Sequence, residues 1–357
     1  MTDPAGFDVL AALQEAHAFD PVPLRAGVHG YHVPFDDLTG SKATEGELAR
    51  AARGMERVAV AGRSGVGKTS MIQYALGTLT DKVAAIRVPV EAESDETVTE
   101  PHAFAAHLIR TVARYLHDAK MIGEREHIDA LSGSARTLTL ATRRTGSFGF
   151  GAQWLLRADL AREVEAAVSV DVAPSASDVV AKARDIVAVV AAHDLVPVLV
   201  IDDSDAWLAT PNGDRTRLVG PFFTRVVRVL AEELNAGIVV AVHDHYFDLP
   251  GFSLDTGFLE QTIRIPRLPS AGGIAAILHA RVAAHLDDKP SLDGVVTDDV
   301  VAGLFNRYKA VDGNIRTTLL AAHTALQAAC EDHAHVITDR HLQVAFTRYN
   351  DTYPDVR

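Results

Sequence analysis

Between Val58 and Thr69 the chain reads V-A-V-A-G-R-S-G-V-G-K-T, a short apolar run followed by eight residues suited to holding phosphate. Gly62, Arg63, Ser64, Gly65, Val66, Gly67, Lys68 and Thr69 match G-x-x-x-x-G-K-[ST], and Ser70 opens a helix-compatible segment to Leu79. Glycines at these places let consecutive backbone N–H groups converge on phosphate oxygens, and a helix start behind them adds a favourable partial charge. Lys68 is then a point charge for the β- and γ-phosphates, and the Thr69 hydroxyl an oxygen ligand for Mg²⁺. The order strand, loop, helix separates this arrangement from an ordinary glycine-rich turn.

Three further places carry chemistry in a chain with such a loop. Val196 to Asp203, V-P-V-L-V-I-D-D, is an apolar strand ending in two carboxylates. Asp202 is placed to hold the metal, directly or through water, and Asp203 to polarise an attacking water. Ala236 to Asp244 is another buried strand with a polar end, where His243 or Asp244 either reaches the γ-phosphate region or closes the strand structurally. Asp312-Gly313-Asn314-Ile315-Arg316 opens a helix with an arginine in its first turn. That charge opposes the helix dipole, which points to a specific anionic partner for Arg316.

The remaining elements must position these groups. An alanine-rich helical pattern around Phe7 to Leu13 breaks at Pro21 and Pro23, and a turn-rich segment follows to Gly40. Thr44 then reads as the N-cap of a helix, with Glu47 three residues on. This segment either covers a nucleotide base or packs as an arm on the core. Lys82 to Val90 predicts a second strand and Pro101 to His117 a helix. Residues 134–160 read as an inserted β-hairpin with Arg143 and Arg144 at its tip. The pair suits a phosphate backbone, a carboxylate partner or a neighbouring subunit, or is simply solvated. Helices are expected at Ala176 to His193 and Arg217 to Leu234, and a fifth strand at Gln261 to Pro266. From Ser270 the pattern is helical throughout: Ala271 to Leu286, Thr297 to Tyr308, Asn314 to Cys330 and Thr338 to Tyr349. His333, His335 and His341 read as surface residues near helix ends.

At 357 residues the chain has room for one large α/β domain and a smaller helical one. The pattern divides it into an N-terminal arm at 1–50, a core at 51–268 and a helical domain at 269–357. No run of about 18 apolar residues is present, and the start lacks the charged and apolar regions of a signal peptide. The single cysteine, Cys330, excludes an intrachain disulfide framework and a cysteine zinc cage. These features predict a cytoplasmic protein without membrane attachment. The abundance of Ala, and of Arg over Lys, points to a GC-rich bacterial genome. A net charge of −13 disfavours nucleic-acid binding by a monomer, while leaving room for a local basic patch or a ring of subunits.

Together, the five apolar strands, the loop after the first, Asp202-Asp203 after the third, the polar end of the fourth and the helical bundle behind the fifth resemble the AAA+ ATPases. The nearest branch holds origin-recognition ATPases, transposition regulators and STAND-type signalling NTPases. This resemblance covers about residues 25–350 and implies a three-layer P-loop core with a parallel five-stranded sheet, followed by a small all-α lid. It makes Gly62 to Thr69 the Walker A loop and Asp202 and Asp203 the Walker B pair. His243 takes the sensor-1 place and Arg316 the sensor-2 place. Two departures stand out. Asp203 replaces the glutamate of many members, which implies slow hydrolysis. Tyr246 to Gln261 holds no arginine where a trans-acting finger is usual, leaving Arg264 and Arg267 as displaced substitutes. The resemblance therefore implies an ATP- and Mg²⁺-binding, slowly hydrolysing switch acting on a protein partner or its own copies. The alternatives are a DNA-associated loader or mobile-element regulator, and a nucleotide-binding module without hydrolysis. No Asn-Lys-x-Asp motif for guanine is present.

Overall fold

In the computed structural model, residues 4–21, 30–90, 93–123, 176–202, 215–286 and 291–352 are described. The hairpin expected at 134–160, with Arg143 and Arg144, lies outside them, as does Asp203.

Five strands form one parallel sheet: β1 (Arg57–Ala61), β2 (Val83–Pro89), β3 (Val196–Asp202), β4 (Gly237–Val242) and β5 (Gln261–Arg264), in the order β2-β3-β4-β1-β5. Composition explains the order. β3 and β4 are unbroken apolar runs, buried along nearly their whole length, as parallel strands covered on both faces must be. β2 and β5 alternate buried and exposed residues and lie at the edges. The proline of β2, Pro89, sits at the end of an edge strand, where a missing N–H costs least. It falls opposite Asp202 in the β2–β3 register. In a parallel sheet all carboxyl ends share one edge, which is where α/β proteins place ligands.

Contacts divide the chain into two compact units. One comprises Ala49–Ala59 and Leu79–Thr262. In it, α5 (Asp95–Thr99) precedes α6 (Pro101–Asp118), which packs on α7 (Ala176–Ala191) over a core that includes Phe104, Phe222, Phe223 and Phe252. Successive rings of that set meet at centroid distances of 5.9, 5.3 and 5.0 Å in edge-to-face pairs. Residues 215–233 form a single helical run, α8, matching the helix expected at Arg217 to Leu234, and the short α9 (Phe252–Asp255) comes before β5.

The other unit comprises Met1–Leu48, Val60–Thr78 and Ile263–Arg357. It holds α1 (Pro4–Glu15), α2 (Phe35–Thr39), α3 from Glu45, and α4 (Lys68–Gly77). The C-terminal helices α10 (Ala271–Ala283), α11 (Asp298–Ala310), α12 (Ile315–Glu331) and α13 (Asp339–Thr352) follow the periodicity of the sequence closely. Helix α1 packs on α12. The buried Arg281 of α10 donates to the carbonyls of Ala18 and Asp20, at 3.0 and 2.7 Å, and lies over the Tyr31 ring. Burial pushes its pKa down from the ordinary arginine value.

One expectation is corrected here. His341 is buried rather than at the surface, because its Nδ1 accepts from the Thr338 N–H at 3.0 Å and closes the start of α13. Among the described residues no helix is long and apolar enough to cross a membrane.

Candidate functional site

The loop between β1 and α4 takes the backbone its glycines allow. Gly65 and Gly67 have φ of +78° and +106°, a region that L side chains rarely adopt. Their missing side chains also make room. A Cβ on Gly65 would lie 2.4 Å from the Asn314 Oδ1, and one on Gly67 would lie 3.3 Å from the Phe35 ring. Gly67 leads straight into the helix, so α4 starts at Lys68, two residues ahead of the expected start at Ser70. Lys68 is only 5% exposed, and its Nζ donates to the carbonyls of Gly62 and Arg63 at 2.7 and 2.9 Å. Arg63 and Ser64 are exposed, and Val66, Thr69 and Ser70 half-buried.

On one flank the loop meets the start of α12. Behind α11, Asp312 and Gly313 take the left-handed region, φ 57° and 86°, and the Gly313 N–H bonds the Tyr308 carbonyl at 2.8 Å. That turn aims the next residues at the loop. Asn314 caps α12, its Oδ1 accepting from the Thr317 N–H at 2.9 Å, while its Nδ2 donates to the Ser64 carbonyl at 3.2 Å. The Arg316 N–H donates to the Gly65 carbonyl at 3.0 Å, and the Arg316 side chain is exposed. Asp312 accepts from both Arg63 and Arg267. The Arg63 guanidinium, aided by Arg267, holds the Asp312 carboxyl below the usual carboxylate range. Arg267, one of the two displaced substitutes for a trans-acting arginine, thus bonds within its own chain. Arg264 is exposed on β5.

The opposite flank is the N-terminal segment. Phe35 is buried against Gly67, and His32 links two elements, its Nδ1 2.9 Å from Ser70 Oγ and its Nε2 3.0 Å from Glu45 Oε1. Glu45 accepts as well from the N–H groups of Phe35 and Asp36, at 2.9 and 3.0 Å. Asp36 in turn accepts from the N–H groups of Thr44 and Gly46, so its carboxylate serves the start of α3 beside Thr44. Sequence reasoning missed His32, Phe35, Glu45 and Asp312. The signals available were the turn-rich composition around His32 and Phe35 and the helix start at Thr44, read together as a segment that covers a base or packs on the core.

In the other compact unit, Asp202 is the last residue of β3 and is 4% exposed. His243 follows β4 directly, and its Nδ1 accepts from the His245 N–H at 3.1 Å, closing a 3-10 turn. His107, buried beside the end of β2, bonds the Pro89 carbonyl at 2.9 Å. Its pKa is lowered by burial, against the pull of Glu93.

The parallel sheet of order β2-β3-β4-β1-β5, with the loop Gly62 to Thr69 after β1 and helices following β5 in the chain, is a fold that solved origin-recognition proteins share. No family model matches the sequence, and no curated protein matches it. Among solved structures, the chain is similar to the ORC1 protein of Aeropyrum pernix in complex with DNA, at 15% identity and a TM-score of 0.51, covering 92% of this chain and 68% of that one. It is also similar to Cdc6p from Pyrobaculum aerophilum, at 14% identity and a TM-score of 0.47, covering 90% of this chain and 68% of that one. At these identities the likeness concerns the fold.

Proposed function

We propose that this chain binds ATP with Mg²⁺, hydrolyses it slowly and uses the bound nucleotide as a conformational or oligomerisation switch toward a protein partner or further copies of itself. The observation that carries this reading is the attachment of α12 to the loop. Asn314 and the Arg316 N–H bond the carbonyls of Ser64 and Gly65, so phosphate seated on the neighbouring amides disturbs the start of that helix directly.

The loop fits a phosphate on its own geometry, because Gly65 and Gly67 open a cradle that a Cβ would distort or fill. In this reading Gly62 to Ser70 hold the phosphates, with Lys68 supplying charge. Thr69 and Asp202, both oxygen donors suited to a hard cation, are assigned to Mg²⁺. The metal, when bound, neutralises charge developing on the phosphates. Asp203 is assigned to orient water, and His243 and Arg316 to sense the γ-phosphate. The exposed Arg316 side chain at a helix start supports the last assignment.

The test is mass and shape in solution without nucleotide, with ADP, and with a non-hydrolysable ATP analogue. A change confined to the analogue is the expected result, and identical behaviour in all three states contradicts a switch. The DNA-associated reading is favoured by one observation, that the similar ORC1 protein was solved with DNA. The net charge of −13 opposes it. Adding DNA to the same series separates the two readings. Phosphate release unchanged by Asp203→Asn would favour a module that binds nucleotide without turning it over.

A further inference from the structure

We propose that Asn314 is a positioning residue for the phosphate loop, its amide fixing the Ser64 carbonyl so that the loop's peptides are turned for phosphate before any ligand arrives. This rests on the nucleotide reading above, in which phosphate acts on α12, and adds a demand that α12 places on the loop.

The two partners of the Asn314 amide fix its orientation. An N–H can only donate and a backbone carbonyl can only accept. The Thr317 N–H, 2.9 Å away, therefore faces Oδ1, and the Ser64 carbonyl, 3.2 Å away, faces Nδ2. One side chain thus does two jobs with two atoms: Oδ1 caps α12 and Nδ2 holds the loop. Capping alone would be served as well by serine or aspartate, whereas an amide offers an acceptor and a donor on separate atoms. Gly65 makes the approach possible. A Cβ there would lie 2.4 Å from Asn314 Oδ1 and 2.9 Å from both Cγ and Nδ2.

A trans peptide is planar, so the N–H of one residue points opposite to the carbonyl before it. The chain has no cis peptide. The Ser64 and Gly65 carbonyls accept from Asn314 Nδ2 and, at 3.0 Å, from the Arg316 N–H. The N–H groups of Gly65 and Val66 consequently point away from α12. The two preceding carbonyls, of Gly62 and Arg63, accept from Lys68 Nζ at 2.7 and 2.9 Å. Four successive carbonyls are thereby engaged by donors of the chain itself, which turns the N–H groups of the same peptides toward an anion. The two pairs of bonds differ in what a ligand does to them. Lys68 loosens its hold when its ammonium turns to phosphate. The bonds from α12 compete with no ligand atom, so they are the ones that keep the loop in shape once Lys68 has turned.

Asn314→Ser separates the two jobs, because serine caps a helix about as well but is too short to reach the Ser64 carbonyl. Calorimetric titration of pyrophosphate, of ADP with Mg²⁺ and of ATP with Mg²⁺ into the full chain is the test. All three are expected to bind the variant roughly three- to tenfold more weakly than the wild type, the scale of one lost hydrogen bond. In the ligand-free variant the NMR amide signal of Gly65, whose nitrogen shares a peptide with the Ser64 carbonyl, should move, while amide exchange at Thr317 stays as in the wild type. Asn314→Asp keeps the size and the cap but presents only oxygens, and it should weaken binding at least as much. A residue that serves only as a helix cap predicts wild-type affinity and an unmoved Gly65 signal in Asn314→Ser. That result overturns the inference and leaves the nucleotide reading standing. A wild-type chain that binds none of the three ligands overturns the nucleotide reading itself, and this inference with it.

Discussion

The loop from Gly62 to Thr69 is flanked on one side by Phe35, His32 and Glu45, and on the other by Asp312 with Arg63 and Arg267. The first set is buried, and its polar atoms bond one another, the backbone and Ser70. The second set leaves 40% of the Asp312 side chain exposed, 56% of Arg63 and 70% of Arg267. Apolar burial with satisfied polar groups resists salt and costs much to undo. Exposed ion pairs contribute little and are screened. The N-terminal flank is thus expected to be the harder of the two to displace, and the Asp312 ion pairs the easier. If the loop binds nucleotide as proposed, that asymmetry suits a ligand that moves one neighbour without unfolding the other.

Substitutions can break or sharpen this contrast. Phe35→Ala should have the largest effect, a loss of roughly 3–5 kcal/mol for removing a buried ring, read from denaturant unfolding. An equal loss on changing Asp312 would abolish the distinction between the flanks. Next comes Gly65→Ala, which forces an alanine to φ +78° and a Cβ against Asn314. About 1–3 kcal/mol is expected, with faster amide exchange at Asn314 to Thr317 and unchanged exchange at Phe35. Asn314→Ala removes a helix cap, worth about 1 kcal/mol, and should speed exchange over the same few residues.

Acid acts on the buried flank with a definite sign. The Glu45 carboxyl is lower in the folded chain than in the unfolded one, so the unfolded chain gains the proton first as pH falls. Its contribution is complete above the ordinary glutamate value of about 4.3 and is lost as pH drops through the lower folded value. Glu45→Gln should flatten the stability–pH curve in that window at both low and high salt. The smallest effect belongs to Asp312→Asn, within the roughly 1 kcal/mol typical of exposed pairs. It should shrink further in 1 M salt, where screening reaches only about 3 Å. A loss that persists undiminished in high salt would contradict the account of that flank.

The loop's shape was legible in the sequence because its cause is local: Gly65 and Gly67 take positive φ directly ahead of a helix start at Lys68. The sheet was legible as well, since β3 and β4 are unbroken apolar runs between helical patterns. The flanks were not. His32 stands 38 positions before Ser70 in a stretch read as turns, and Glu45 25 positions before it at the start of an expected helix, and no periodicity announces that they will meet it. Asp312 was hidden for a different reason. Its reach toward Arg63 depends on the left-handed backbone at 312 and 313, which a sequence suggests at the glycine but not at the aspartate. Arg316 was read through its charge at a helix start, whereas the bond it makes to the loop comes from its backbone N–H.

The central claim is that the loop from Gly62 to Thr69 holds nucleotide phosphate through Lys68. Calorimetric titration of ATP with Mg²⁺ into the wild type and Lys68→Ala, with folding of both checked by thermal unfolding, tests it most directly. The account predicts saturable binding by the wild type and an affinity lower by roughly a hundredfold or more in the folded variant, the scale of a lost charged hydrogen-bond donor. Equal affinity in the two proteins, or no binding by the wild type, would contradict it.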